Sequence, residues 1–214
     1  MSFVGQFRNG IVGYLRANIG VYVFCIVIFA VGVVFGALAI RVLGAAQKTE
    51  LIDYLQVFLR GLAQTGQPVG GAAVLRQALA NHWKTAGFIW LLGFTVIGLP
   101  AVALIIFTRG FVIGFTVGFL AEQLGYKGIL LAFFSVLPQN LLAVPAILAV
   151  GASALSFSLL LVGARLQHRR FQFLEELAGY TVLGAIACVV LAGAGLVEAF
   201  VAPVFIRLLA GTIA

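Results

Sequence analysis

The run NIGVYVFCIVIFAVGVVFGALAI, residues 18–40, decides the fold: it contains no charged side chain and stops at Arg41. A helix rises about 1.5 Å per residue, so this run can cross the roughly 30 Å hydrocarbon core of a bilayer. Lipid offers no partner to a backbone N–H or C=O, and a helix satisfies these groups within its own segment. Arg8 and Arg16 precede the run, and Ala37-Leu38-Ala39 resembles a signal-peptide cleavage site. The apolar region of a signal peptide is only about 7–15 residues long, however. The expectation is an uncleaved first transmembrane helix.

Outward from this run the chain keeps the same character. Apolar residues make up 63% of its 214 residues and charged residues 9%, against about 45–50% and about 25% in soluble domains. Folding buries only about 70% of the surface of a soluble chain of this size, so lipid must be the solvent for most of the length. The net charge is +7, and the basic residues stand at the edges of apolar runs. That pattern fits topology control and anionic head groups rather than nucleic acid. Cys25 and Cys188 both lie inside apolar runs and read as small packing residues, not as a disulfide.

Residues 41–84 are the one long segment outside the apolar runs, and they read as an extracytoplasmic loop. Leu51, Leu55, Phe58 and Leu62 fall at three- and four-residue steps, the spacing of one helix face. A stop comes at Gln64-Thr65-Gly66-Gln67-Pro68, and a second short amphipathic helix is expected over 71–80. Such helices lie on a membrane surface, dock a partner or cover the protein's own helix ends.

Further spans are expected over residues 85–107, with Pro100 kinking the middle, and from Arg109 to near Gly125. The next apolar stretch, 128–164, is too long for one span. A break is expected at Pro138-Gln139-Asn140, with Pro145 just beyond, because the residue before a proline avoids helical geometry. That leaves a short interfacial or re-entrant helix over 128–137 and a fourth span over 141–162. The fifth span covers 178–197, and the tail after Glu198, which contains Pro203, reads as re-entrant or interfacial. The chain is thus expected to be a single all-α membrane domain, a polytopic bundle of about five spans with broken segments.

Orientation is poorly fixed by charge. A cytoplasmic N-terminus puts six basic residues inside and seven outside. The inner six sit on short segments, where the positive-inside rule acts most strongly, so a cytoplasmic N-terminus is expected, with the loop at 165–176 on the same side.

No catalytic constellation is visible. His82 and His168 stand at membrane edges without metal-ligand spacing, and no HExxH, Walker A, GxSxG or CxxC motif occurs. Neither an enzyme nor a cofactor is expected. Gly110, Gly114 and Gly118 form a smooth stripe at four-residue steps, and Gly32 with Gly36 repeats the spacing. Small residues in this register let helix backbones approach closely, within one chain or between two copies in a homodimer. Arg109 and Glu198 are the charges most exposed to burial; they either sit at head-group level or pair and fix the bundle. The amides of Gln139 and Asn140 beside a helix break suit either a transporter's substrate site or a structural bend.

The stretch Arg109-Gly110-Phe111-Val112-Ile113-Gly114-Phe115, then Gly118-Phe119-Leu120, Gly125-Tyr126-Lys127-Gly128, Ser135-Val136-Leu137-Pro138-Gln139-Asn140-Leu141 and Pro145-Ala146 resembles the stage II sporulation protein M family. The closing Val197-Glu198-Ala199-Phe200 with Pro203 also fits, and the resemblance covers nearly the whole chain. It implies a role in septal thinning and forespore engulfment. Members are thought to anchor two peptidoglycan-degrading partners, the stage II sporulation proteins D and P, at the septal or engulfing membrane. The function so implied is a non-catalytic scaffold; the alternative is a transporter or channel subunit.

Overall fold

The computed structural model describes residues 18–64, 71–167 and 173–205. They form six α-helices and one π-helical turn: α1 (Ile19–Val42), α2 (Ala45–Gln64), α3 (Gly71–Leu92), α4 (Gly98–Ser135), α5 (Leu137–Gln167), α6 (Phe173–Leu196) and the π turn Val197–Val201. The all-α membrane bundle stands. Among the described residues, four stretches are long and apolar enough to cross a membrane: Ile19–Val42, Gly98–Ser135, Leu137–Gly163 and Glu176–Phe205. Helix α3 packs among them as the fifth member of the bundle.

Helices α1 and α4 are parallel and intimately packed. Carbonyls of Phe29 and Val33 lie over Gly110 and Gly114, and carbonyls of Phe107 and Phe111 lie over Gly32 and Gly36. Further along, Gly118 meets Ala37 and Ile40. A Cβ on Gly114 would stand 2.7 Å from the Val33 carbonyl carbon, so only glycine permits this approach. With no hydrophobic drive between helices in lipid, such contacts and Cα–H to carbonyl bonds must supply the association. The expected glycine stripe is therefore filled by α1 of the same chain. Phe107, Phe111, Phe115 and Phe119 stack beside it at 6.2–6.5 Å between ring centroids.

The other helices alternate in direction. In α3, Ala78 lies near Gly195 of α6 and Trp90 near Gly184, so these two helices are antiparallel. In α5, Gly151 meets Val102 and Ile106, and Ser158 Oγ donates to the Thr95 carbonyl at 2.8 Å, so α5 runs against α4. Helix α5 is the centre of the bundle: every residue from 151 to 158 is buried. Its small residues, among them Gly151, Ala152, Ser153 and Ala154, let neighbours close around it.

Several boundaries differ from expectation. No span crosses residues 85–107: α3 runs on from the loop to Leu92, and α4 starts at Gly98. Pro100 sits in the first turn of α4, where its missing N–H has no helical partner to lose. The span expected from Arg109 is the continuation of that same helix. The amphipathic piece expected over 71–80 is the first half of α3. The sharp break falls at Gly125, whose φ of 55° and ψ of −131° suit glycine alone. Beyond it the chain doubles back, with Leu131 and Ala132 packing on Leu120 and Leu124. Near Pro138 the interruption is slight, one residue at Val136 between α4 and α5, with Pro138 in the first turn of α5 and Pro145 inside that helix.

Candidate functional site

A cavity of about 700 Å³ lies between α3, α4, the start of α5 and the π turn. Its floor and walls are mostly apolar, but every element contributes polar groups. Helix α3 presents Asn81, His82, Lys84 and Thr85; α4 presents Thr108, Arg109 and Thr116; α5 presents Gln139 and Asn140; the π turn presents Glu198.

Each arrives there for a local reason. The buried face of α3 is Ala78, His82, Ala86 and Ile89, so helical periodicity carries His82 inward; it is only 6% exposed. Glu198 is carried by the π turn, in which the Ala202 N–H bonds the Val197 carbonyl five residues back. Pro203 explains that turn. It has no N–H for the Ala199 carbonyl, and its ring would clash with that carbonyl in a regular α-helix. Widening the turn relieves both problems.

The polar groups are joined into two clusters. His82 Nε2 stands 3.2 Å from Glu198 Oε2. Arg109 Nη2 donates to Thr85 Oγ1 at 2.5 Å, and Thr85 in turn donates to the Asn81 carbonyl at 2.8 Å. Arg109 and Glu198 share the cavity and attract one another through space, while the carboxylate's direct contact is with His82. Asn140 Nδ2 donates to the Val136 carbonyl at 2.7 Å, satisfying backbone at the α4–α5 interruption. Two polar atoms lining the cavity are buried without a hydrogen bond: His82 Nδ1 and Gln139 Oε1. Unsatisfied buried polar atoms are costly and uncommon, so these two are positions where a hydrogen-bonding partner in the cavity would be stabilising.

Away from the cavity lining, Trp90, Phe94, Phe157 and Tyr180 interlock with ring centroids 4.9–6.0 Å apart. The Tyr180 hydroxyl donates to the Trp90 carbonyl at 2.7 Å.

The residues singled out in the sequence sort clearly. Arg109, Gln139, Asn140 and Glu198 meet in the cavity, while Gly110, Gly114 and Gly118 pack on α1. Leu51 is half-buried on α2, and the side chains of Leu55, Phe58 and Leu62 lie outside the described residues. Sequence reasoning leaves His82 at the membrane edge and gives no role to Lys84 or Thr85. The four-residue recurrence of Ala78, His82 and Ala86 is the signal that places His82 inside.

Helix α2 is tied to α4 by the Lys48–Glu122 ion pair of 2.6 Å. Tyr54 and Val57 on it are 72% and 70% exposed.

A model of the stage II sporulation protein M family matches residues 25–203, from within α1 through the π turn to Pro203. No curated protein and no solved structure matches the chain. The family match spans the glycine packing of α1 on α4, the cavity and the π turn together, and the chain belongs to the stage II sporulation protein M family, a family of sporulation membrane proteins.

Proposed function

We propose that this protein is a non-catalytic membrane scaffold that gathers peptidoglycan-degrading enzymes for septal thinning and forespore engulfment. The observation that supports the reading is α2, an amphipathic helix on which Tyr54 and Val57 are 72% and 70% exposed. The face of Leu51, Leu55, Phe58 and Leu62 is then the docking surface, and the stage II sporulation proteins D and P are the partners. Orientation is taken from charge density: the N-terminus is cytoplasmic and α2 lies outside, at the septal or engulfing membrane.

The test is capture by the full chain in membranes. Leu55→Glu with Phe58→Glu should leave the protein inserted but abolish capture of the two partners, since burying an unpaired charge costs several kcal/mol. Capture unchanged by these substitutions would remove α2 from the interface.

A second reading, a transporter subunit, is favoured by the polar cavity beside the interrupted helices. Solute flux through reconstituted protein, without partner capture, would support that reading over the scaffold.

A further inference from the structure

We propose that the cavity between α3, α4 and the π turn binds the phosphate of an anionic amphiphile, with Arg109 and Lys84 as its charged contacts. The inference does not rest on the scaffold reading, since it uses no feature of α2.

The charge balance comes first. The cavity holds the cations Arg109 and Lys84 against the single carboxylate of Glu198, which already faces His82. One positive charge is left over even with His82 neutral. The Thr85 bond uses one of the five N–H groups of a guanidinium. The threonines offer no further donor, because Thr85, Thr108 and Thr116 each donate to a carbonyl on their own helix. Arg109, Lys84 and Gln139 remain as donors. That set suits a group with several acceptor oxygens and negative charge, and a phosphate matches the guanidinium fork.

Burial gives the second, independent observation. His82 is 6% exposed, and its Nδ1 has no hydrogen-bond partner. Gln139 Oε1 is likewise buried without one; the two amide positions exchange by a flip, so Gln139 can present a donor instead. A bound phosphate would accept from Gln139, and a hydroxyl of its head group would donate to His82 Nδ1, which is an acceptor when Nε2–H faces the Glu198 carboxylate.

The rim identifies the rest of the ligand. Phe88, Leu104 and Val112 line the cavity and are 58%, 65% and 55% exposed. On membrane helices such residues meet acyl chains. A ligand with its head in the cavity therefore keeps an apolar tail along α3 and α4, as a phospholipid does. The volume falls within the roughly 300–1,000 Å³ of small-molecule sites, ample for a glycerophosphate head.

The experiment is native mass spectrometry of the full chain purified in detergent, with short-chain phosphatidylglycerol as the probe. One probe per chain is expected. Charge-assisted hydrogen bonds of about 1.5–3 kcal/mol correspond to roughly ten- to a hundredfold in affinity, so Arg109→Gln should weaken binding by that factor. Lys84→Gln, at an exposed position that folding tolerates, should weaken it several-fold, and Arg76→Gln, exposed on α3 outside the cavity, should not change it. Should Arg109→Gln fail to fold, the contrast between Lys84→Gln and Arg76→Gln decides. Displacement of the probe by millimolar inorganic phosphate would keep the phosphate site but assign it to a free anion from water; resistance to displacement assigns it to lipid. Equal binding of an uncharged diacylglycerol of the same chain length, or full binding by folded Lys84→Gln and Arg109→Gln, would overturn the proposal.

Discussion

His82 Nε2 and Glu198 Oε2 stand 3.2 Å apart, although 116 residues separate them in the chain. The contact ties α3, the least apolar helix of the bundle, to the π turn at the far end of α6. His82→Ala leaves the half-buried carboxylate without its partner, and Glu198→Ala strands the buried imidazole. Each should lower the unfolding temperature in detergent, and the double variant should lose less than the sum. Coupling of about 0.5–3 kcal/mol is expected for groups in direct contact. Strict additivity in the double-mutant cycle would show that the contact contributes nothing.

How much of this is legible in the sequence varies by element. Residues 18–40 and the stripe Gly110, Gly114 and Gly118 are legible because span length and four-residue spacing are local properties. Helix α3 is not, because Arg76, His82 and Lys84 lower its hydropathy, and its apolar half then merges with the apolar residues beyond Leu92. Gly98-Leu99-Pro100 reads as a kink within a long span, yet the same residues are a start signal when proline stands in the first helical turn. The cavity is only half legible. Arg109, Gln139, Asn140 and Glu198 stand out as polar residues among apolar ones. That they meet His82 and Thr85 depends on which helices are neighbours, and no local pattern carries that.

The glycine contacts predict a graded response. Gly36→Leu and Gly114→Leu each place a side chain against backbone of the facing helix, and overpacking costs about 1–3 kcal/mol or more where backbone must move. Both variants should accumulate poorly and melt early. Gly87→Ala is the control, since a Cβ there meets nothing within 4 Å. Equal behaviour of all three would mean that α1 and α4 do not pack as described.

Sidedness is set by the alternating directions. The α3–α4 turn at Thr95 lies at the same end as the start of α1, whereas Gln47 and Tyr126 lie at the other end. With Cys25 and Cys188 replaced by alanine, cysteines at Gln47 and Tyr126 should react with an impermeant reagent outside intact cells, and one at Thr95 should not. The reverse pattern would invert the orientation. Labelling of Thr95 and Tyr126 from the same side would break the topology itself.

The π turn makes the last prediction. A π turn is strained relative to a regular helix and persists where something forbids the narrower turn. Here Pro203 does so, through its missing N–H and the clash of its ring with the Ala199 carbonyl. Pro203→Ala removes both obstacles, and alanine is the best helix former. The segment Val197–Val201 can then close into α geometry, which rotates Glu198 relative to α3. The substitution should therefore raise or preserve overall stability while shrinking the His82–Glu198 coupling. Measuring the same double-mutant cycle in the Pro203→Ala background reads this directly. An unchanged coupling energy would mean that packing around Ala199 and Ala202, both buried, holds the wide turn without help from proline. Loss of stability with loss of coupling would mean that the turn is what fastens α6 to α3.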